Sequence, residues 1–467
     1  MTDASAPASA TIPEIVDALR TSQRAGVLRT IESRRTQLRQ LQRMLTEQEE
    51  PILRAMAVDL GKPPMEAYAA EVGLVLGEIK ATLKNLDAWC APERVKVQLA
   101  IKPGAAEIVP EPLGVVLIIA PWNYPIQLLL APLVPALAAG NTVVLKPSEV
   151  AAATATLLGE IVPQYLDASA VTLVNGGVEE TTALLTEQFD HIFYTGNGTV
   201  GRIVMAAAAK HLTPVTLELG GKSPAIVAAD ADLDVIARRI TWAKFLNAGQ
   251  TCVAPDYVLV DATVEDAFMG AMLRAVHDFY GDDPKASPDY GRIVNTKHWD
   301  RLTGLLDDGG YESTICGGHG DRETRYLPPT VLSGVQPGAA LMQHEIFGPI
   351  LPVLTVTDID EAIAFVNERD KPLALYVFSS NDDVIDRVIA NTSAGGVCVN
   401  HAVLHVAIGE LPFGGVGPSG MGSYHGKAGF DTFTHRKAVL RKPTRPDPPL
   451  MYPPYKGWKF KLVRRFL

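Results

Sequence analysis

The stretch LNAGQTCVAPD, residues 246–256, sets one thiol, Cys252, between a helix-like run and a strand-like run. A free cysteine has an ordinary pKa of about 8.5 and becomes a nucleophile where access and backbone N–H groups favour its thiolate. The Gly-Gln-Thr-Cys loop offers that setting. The competing reading is a small buried apolar residue, the usual fate of a free cysteine and the one assigned to Cys90, Cys316 and Cys398. Two more polar side chains follow apolar strands. Asn123 carries a carboxamide that can donate to an oxyanion, or can simply make the turn before Pro125. Glu218, among apolar neighbours, can act as a general base or cap the next segment.

TGNGTVG (195–201) has Gly196, Gly198 and Gly201 in GxGxxG spacing after a strand and before the helix-like RIVMAAAAK. Such glycines let backbone N–H groups approach a pyrophosphate, although a tight strand-to-helix turn explains them equally well. KPSE supplies the better ribose ligands, because Lys146 and Glu149 share one strand tip. The ten histidines form no HExxH. His401 and His405 stand four apart, but glycine and β-branched neighbours argue against a helix that would point both at one metal, so no metal is expected.

These residues need a frame. GVVLIIAP (114–121), NTVVLKP (141–147), AVTLVNG (170–176), HIFYTG (191–196) and PVTLELG (214–220) are short β-branched runs separated by helix-length segments. That rhythm predicts a parallel, doubly wound sheet with ligands at the carboxyl ends of its strands. Upstream, Leu38, Leu41 and Leu45 repeat at helical spacing while Arg34, Arg35, Arg39 and Arg43 fall on other, solvated faces. IQLLLAPLVPALAAG (126–140) reads as a buried helix made irregular by Pro132 and Pro135. A second α/β region begins after ELGGK with ADLDVIARRITWAKFLN (231–247), and LPFGGVGPSGMG (411–422) reads as a long loop.

The chain of 467 residues, 47% hydrophobic and 20% charged, is long enough for two or three domains. Its formal charge of −10 disfavours nucleic acid as main partner and favours small-molecule chemistry. Four scattered cysteines without a CxxC pair indicate a reducing, cytoplasmic compartment. MTDASAPASATIPE lacks a basic and an apolar region, so it reads as a mobile tail and not a secretory signal. At the other end, residues 456–467 are basic and amphipathic, suited to docking on an anionic membrane or to packing on the protein itself.

In order, PWNYP (121–125), KPSE (146–149), YTGNGTVG (194–201), LELGGKSP (217–224), GQTCVAPDY (249–257), HEIFGP (344–349) and LPFGGVGPSGMGSYHGKAGFDTFTHRKAVL (411–440) resemble the aldehyde dehydrogenase superfamily. TPVTLELGGKSP, CVAPDY and the last motif resemble its class-three branch, the fatty and aromatic aldehyde dehydrogenases. The resemblance implies Cys252 as nucleophile, Asn123 with the Cys252 N–H as oxyanion hole, and Glu218 as base. It implies NAD, or NADP, held by Lys146, Glu149, Thr195, Gly196, Gly201, Glu345 and Phe347, with Tyr124 and His405 lining the substrate tunnel. His344 and His401 stand where the branch commonly has acids. The implied architecture is α/β: a Rossmann-like cofactor domain (1–91 and 111–218), a second α/β catalytic domain (219–411), a β bridging arm (92–110 and 412–442) that pairs subunits of a homodimer, and a basic tail (443–467). A coenzyme-A-acylating relative and a catalytically idle one are the alternatives; Glu218 argues against the first, and Cys252, Glu218 and Asn123 together argue against the second.

Overall fold

The structure, a computed structural model, describes residues 10–98, 101–447 and 449–466. Most of the N-terminal tail therefore lies outside the described residues. The first sheet runs Gly420–Met421, Val215–Glu218, His191–Thr195, Val115–Ile119, Thr142–Lys146, Val171–Leu173, with the five longer strands parallel. Alternation along these strands feeds two cores. Val116, Ile118, Val143 and Leu145 pack against the helices Ile31–Glu47, Gly73–Cys90, Gln127–Ala139 and Ala152–Tyr165, while Val115, Leu117, Val144 and Leu217 pack against Ile12–Ala25 and Gly198–Ala209. Both faces being covered explains why the strands read as unbroken apolar runs. Gln127–Ala139 is buried beyond its first residue despite Pro132 and Pro135 within it. Arg34 departs from the solvated face expected for it: it is buried, donating to Leu28 O at 2.8 Å and to Ala138 O at 3.1 Å, the open carboxyl end of that helix.

Strand order reverses between Val115–Ile119 and His191–Thr195, which opens the crevice beyond their tips. Register then sets Ile119 opposite Lys146 and Thr195 opposite Glu218. The second sheet has seven strands in the order Ser313–Cys316, Thr330–Ser333, Ile350–Val356, Tyr257–Asp261, Pro224–Val227, Ala374–Phe378, Gly396–Val399, antiparallel only at its first pair. A third, antiparallel sheet joins Glu93–Val95, Ala105–Pro112 and Thr434–Arg441.

Part of 412–442 serves the cofactor sheet instead of the arm. Gly420–Met421 pairs antiparallel with Leu217 and Glu218, because the edge of that sheet would otherwise be left open. Gly426–Thr432 packs as a helix on Gln127–Ala139, and the arm strand begins only at Thr434. In the tail, Gly457–Phe466 is a helix resting on the turn Pro449–Met451, with Trp458 and Phe460 exposed. Among the described residues no helix is long and apolar enough to cross a membrane.

Candidate active site

Helix Leu233–Phe245 starts at Asp232, whose side chain accepts from Val235 N, and ends in the tight turn Leu246–Gly249. Asn247 and Ala248 take φ of 52° and 51° there, buried and left-handed, a strain of the kind that collects at reactive sites. Gly249 (φ 75°) must be glycine, since a Cβ would meet the Gly348 carbonyl at 2.2 Å. Three side chains then fix the loop that carries Cys252. Buried Gln250 donates to Asn247 O at 2.9 Å and Arg292 O at 3.0 Å and accepts from Val294 N at 2.9 Å. Tyr376 donates to Val253 O, and the Thr251 hydroxyl meets the Tyr124 hydroxyl at 2.7 Å.

Burial pushes the Cys252 thiol up to about 12, helped by the charges of Glu345 and Glu218, while the N–H groups of Cys252 and Val253 favour the thiolate. Glu218 is buried with neither carboxyl oxygen partnered, and burial holds its pKa well above the usual carboxylate range. Asn123 donates one of its two amide protons to Gln250 O at 3.0 Å, which leaves the other free for a ligand. A cavity of about 720 Å³ is lined by Tyr124, Thr195, Glu218, Thr251 and Cys252 together with a largely apolar wall. Asn123 is buried and is not among the lining residues, although its neighbour Tyr124 is.

Sequence reasoning missed what supports Asn123. Lys62 and Glu71, both fully buried, form an ion pair in which Lys62 also donates to Asn123 O at 3.0 Å and stands 4.1 Å over the Tyr124 ring. Glu71 accepts from Ile126 N at 2.8 Å and Gln127 N at 3.3 Å, capping the helix that follows. Glu71 lies in a π-helical turn, Tyr68–Val72, which shifts the helix face, so periodicity gives no signal of the pairing. Replacing Lys62 by Met strands a buried carboxylate and is expected to cost about 3–5 kcal/mol in stability, with much of the loss recovered in the double variant Lys62→Met/Glu71→Leu. Chemical unfolding of the three proteins checks this; equal midpoints for the single and double variants would refute it.

The remaining residues named from sequence fall into three groups. Lys146 is buried and donates to Pro147 O at 2.8 Å and Gly176 O at 2.7 Å, with Glu149 half exposed at 3.8 Å. Gly196 makes the turn, Asn197 caps the helix Gly198–Ala209, and Gly201 sits inside that helix where a Cβ would touch Leu219 at 2.9 Å. Glu345 approaches Gly220 so closely that a Cβ there would strike its carboxylate, and burial lifts it to about 8. Phe347, at φ 51°, packs edge-on to Trp122 at 5.4 Å. The Thr195 hydroxyl is buried without a protein partner. An unpartnered hydroxyl and carboxylate at the strand tips, a half-open acid beside a buried lysine and a capped helix N-terminus fit a dinucleotide.

Tyr124 lines the cavity, as expected, whereas His405 does not. The turn Leu404–Ala407 gives Leu404, Val406 and Ala407 to the wall and turns the His405 ring back against Gly396 and Tyr376, where burial lowers its pKa to about 4. His401 stands behind the wall, 5.8 Å from Trp242, and His344 is exposed.

Comparison with known proteins agrees with this geometry. A family profile described as "Aldehyde dehydrogenase family" matches residues 1–439. Rat "Aldehyde dehydrogenase family 3 member A2" is 51% identical over 458 residues, 97% of this chain and 94% of that protein. Rat "Aldehyde dehydrogenase, dimeric NADP-preferring" is 51% identical over 431 residues, 92% of this chain and 94% of that one. The solved structure "Substrate bound state of Staphylococcus Aureus AldH" superposes with a TM-score of 0.96 at 46% identity, covering 98% of this chain and 99% of its own. With a thiol and an unpartnered carboxyl lining one cavity, and relatives matched along nearly its whole length, the chain belongs to the aldehyde dehydrogenase family.

Proposed function

We propose that Cys252, Asn123 and Glu218 perform the NAD(P)-dependent oxidation of an aldehyde to a carboxylic acid, and that the substrates are medium or long aliphatic or aromatic aldehydes. The carrying observation is the single cavity wall on which Cys252 and an unpartnered Glu218 meet a mostly apolar tunnel. The Cys252 thiol releases its proton to solvent and attacks the aldehyde carbon as the thiolate, and the new oxyanion accepts from the second Asn123 N–H and the Cys252 backbone N–H. Lys146, Glu149, Thr195 and Glu345 would hold NAD(P), which would supply the acceptor for the hydride whose loss leaves a thioester on Cys252. Glu218 then takes a proton from water, which hydrolyses the thioester. The carbonyl grip of Lys62 keeps the Asn123 amide aimed throughout.

The test follows NADH absorbance with purified protein, NAD or NADP, and aldehydes from acetaldehyde through decanal to benzaldehyde. Turnover that rises with apolar chain length supports the reading, and absence of turnover on every member sinks it. Coenzyme A is expected to leave the rate unchanged, because Glu218 provides for water. We further propose a cytoplasmic homodimer, in line with four free cysteines and an arm whose outer strand, Thr434–Arg441, has an unpaired edge. Light scattering giving the mass of one chain would refute the dimer.

A further inference from the structure

The tunnel carries a carboxylate that the reaction just described does not use. Glu66, in the short helix Pro64–Ala67, lines the cavity beside Met65, whose exposure of 78% marks the mouth. Its Oε1 accepts from Asn247 N at 2.8 Å, which ties the mouth to the strained turn before Cys252. Among the described residues no other donor reaches this carboxyl, so a residue that lines the cavity keeps Oε2 unpartnered. Burial pushes Glu66 up to about 7, against the pull of Lys62 and the Asn247 N–H. Among the described residues no lysine or arginine lines the cavity, and burial keeps His425 on its wall neutral at neutral pH. Besides Glu66 and Glu218, Asp289 adds a third acid to the lining, while a fourth, Asp278, is held by Arg238 at 3.2 Å.

Two consequences follow from general physics. An alkyl tail laid across Glu66 strips water from Oε2 and returns nothing, whereas a tail bearing a hydroxyl or ammonium group supplies the missing donor. A tail ending in carboxylate meets like charge in a weakly screened space, and the nearby cation, Lys62, is already paired with Glu71. Resting on the dehydrogenase reading above, we propose that Glu66 selects the tail of the aldehyde: the enzyme prefers aldehydes with a hydrogen-bond donor or a cation on the chain and rejects those that end in a carboxylate.

The experiment compares kcat/KM at pH 8 for octanal, 8-hydroxyoctanal, 8-(trimethylammonio)octanal and 8-oxooctanoate, with their six-carbon counterparts, as ratios within each enzyme so that any general loss of activity cancels. In the wild type the hydroxy aldehyde is expected to exceed octanal by about ten-fold at the better chain length. The oxo acid is expected to fall about ten-fold or more below octanal and the cation to stand above it. Glu66→Gln keeps its amide oxygen for Asn247 N and sets an N–H₂ toward the cavity that donates to the hydroxyl oxygen, so it retains the hydroxyl preference and loses the charge discrimination. Glu66→Leu makes octanal the best substrate of the series. Flat ratios in a wild type that oxidises octanal, or ratios unchanged in Glu66→Leu, overturn the inference while leaving the dehydrogenase reading intact. If none of the aldehydes yields NADH, both are overturned.

Discussion

Cys252→Ala is expected to form NADH no faster than buffer controls, a loss of about 10⁴-fold or more, while NAD(P) binding followed by fluorescence stays within about two-fold. The reason lies in geometry. The other three cysteines are distant in role: Cys90 contacts Arg34 and Ala138 O, Cys316 contacts Pro329 O, and Cys398 lies in the outer strand Gly396–Val399. None lines the cavity, so none can substitute. The loop itself does not depend on the sulfur, because Gln250, Tyr376 and Thr251 hold it from three sides. Retained binding with lost turnover is therefore the expected pair of results. NADH formation at a tenth or more of the wild-type rate would remove Cys252 from the chemistry.

Glu218→Gln is expected to release about one NADH per site in a burst and then slow by about 10²–10⁴-fold, since hydrolysis of the thioester draws on Glu218 for the proton of water, whereas the proton of Cys252 leaves to solvent. The same substitution should stabilise the fold. Burial raises the folded-state pKa of Glu218 above its unfolded value, so the folded protein binds this proton more tightly. Its contribution is present below the unfolded pKa and is lost as pH rises through the raised value. At pH 8 the unpartnered carboxyl is therefore a liability, and glutamine, neutral at every pH, is expected to raise the thermal midpoint by about 1–4 °C. In the wild type, the limb of kcat governed by Glu218 is expected to sit above the carboxylate range, with rate rising as pH rises and the base ionises. A steady-state rate equal to wild type without a burst would displace Glu218 as the base.

Much of this was legible in the residues. Strands buried on both faces carry no alternation, yet their β-branched runs and glycine tips gave order and direction, and the ordered motifs gave Cys252, Glu218 and Asn123 as chemistry. Where the reading fell short, the cause was contact between distant segments. Lys62, between two helices, and Glu71 carry no sequence sign of their pairing, because a π-helical turn and tertiary packing bury them together. His405 was misplaced because a tight turn sends successive side chains in different directions, and only its neighbours face the tunnel. Gly420–Met421 looked like loop, since two residues pair with Leu217 and Glu218 without any strand pattern of their own.

That last pairing has a consequence for how the chain is made. The strand that ends in Glu218 receives its outer neighbour from residues that leave the ribosome roughly two hundred positions later. At about 5–20 residues per second, the edge stays bare for about 10–40 s of synthesis. An unpaired, largely apolar strand is a template for association with other nascent chains, so this interval is when the protein most needs a chaperone and when ribosome crowding would most reduce its yield. A stop codon between residues 219 and 420 would leave the same edge permanently open.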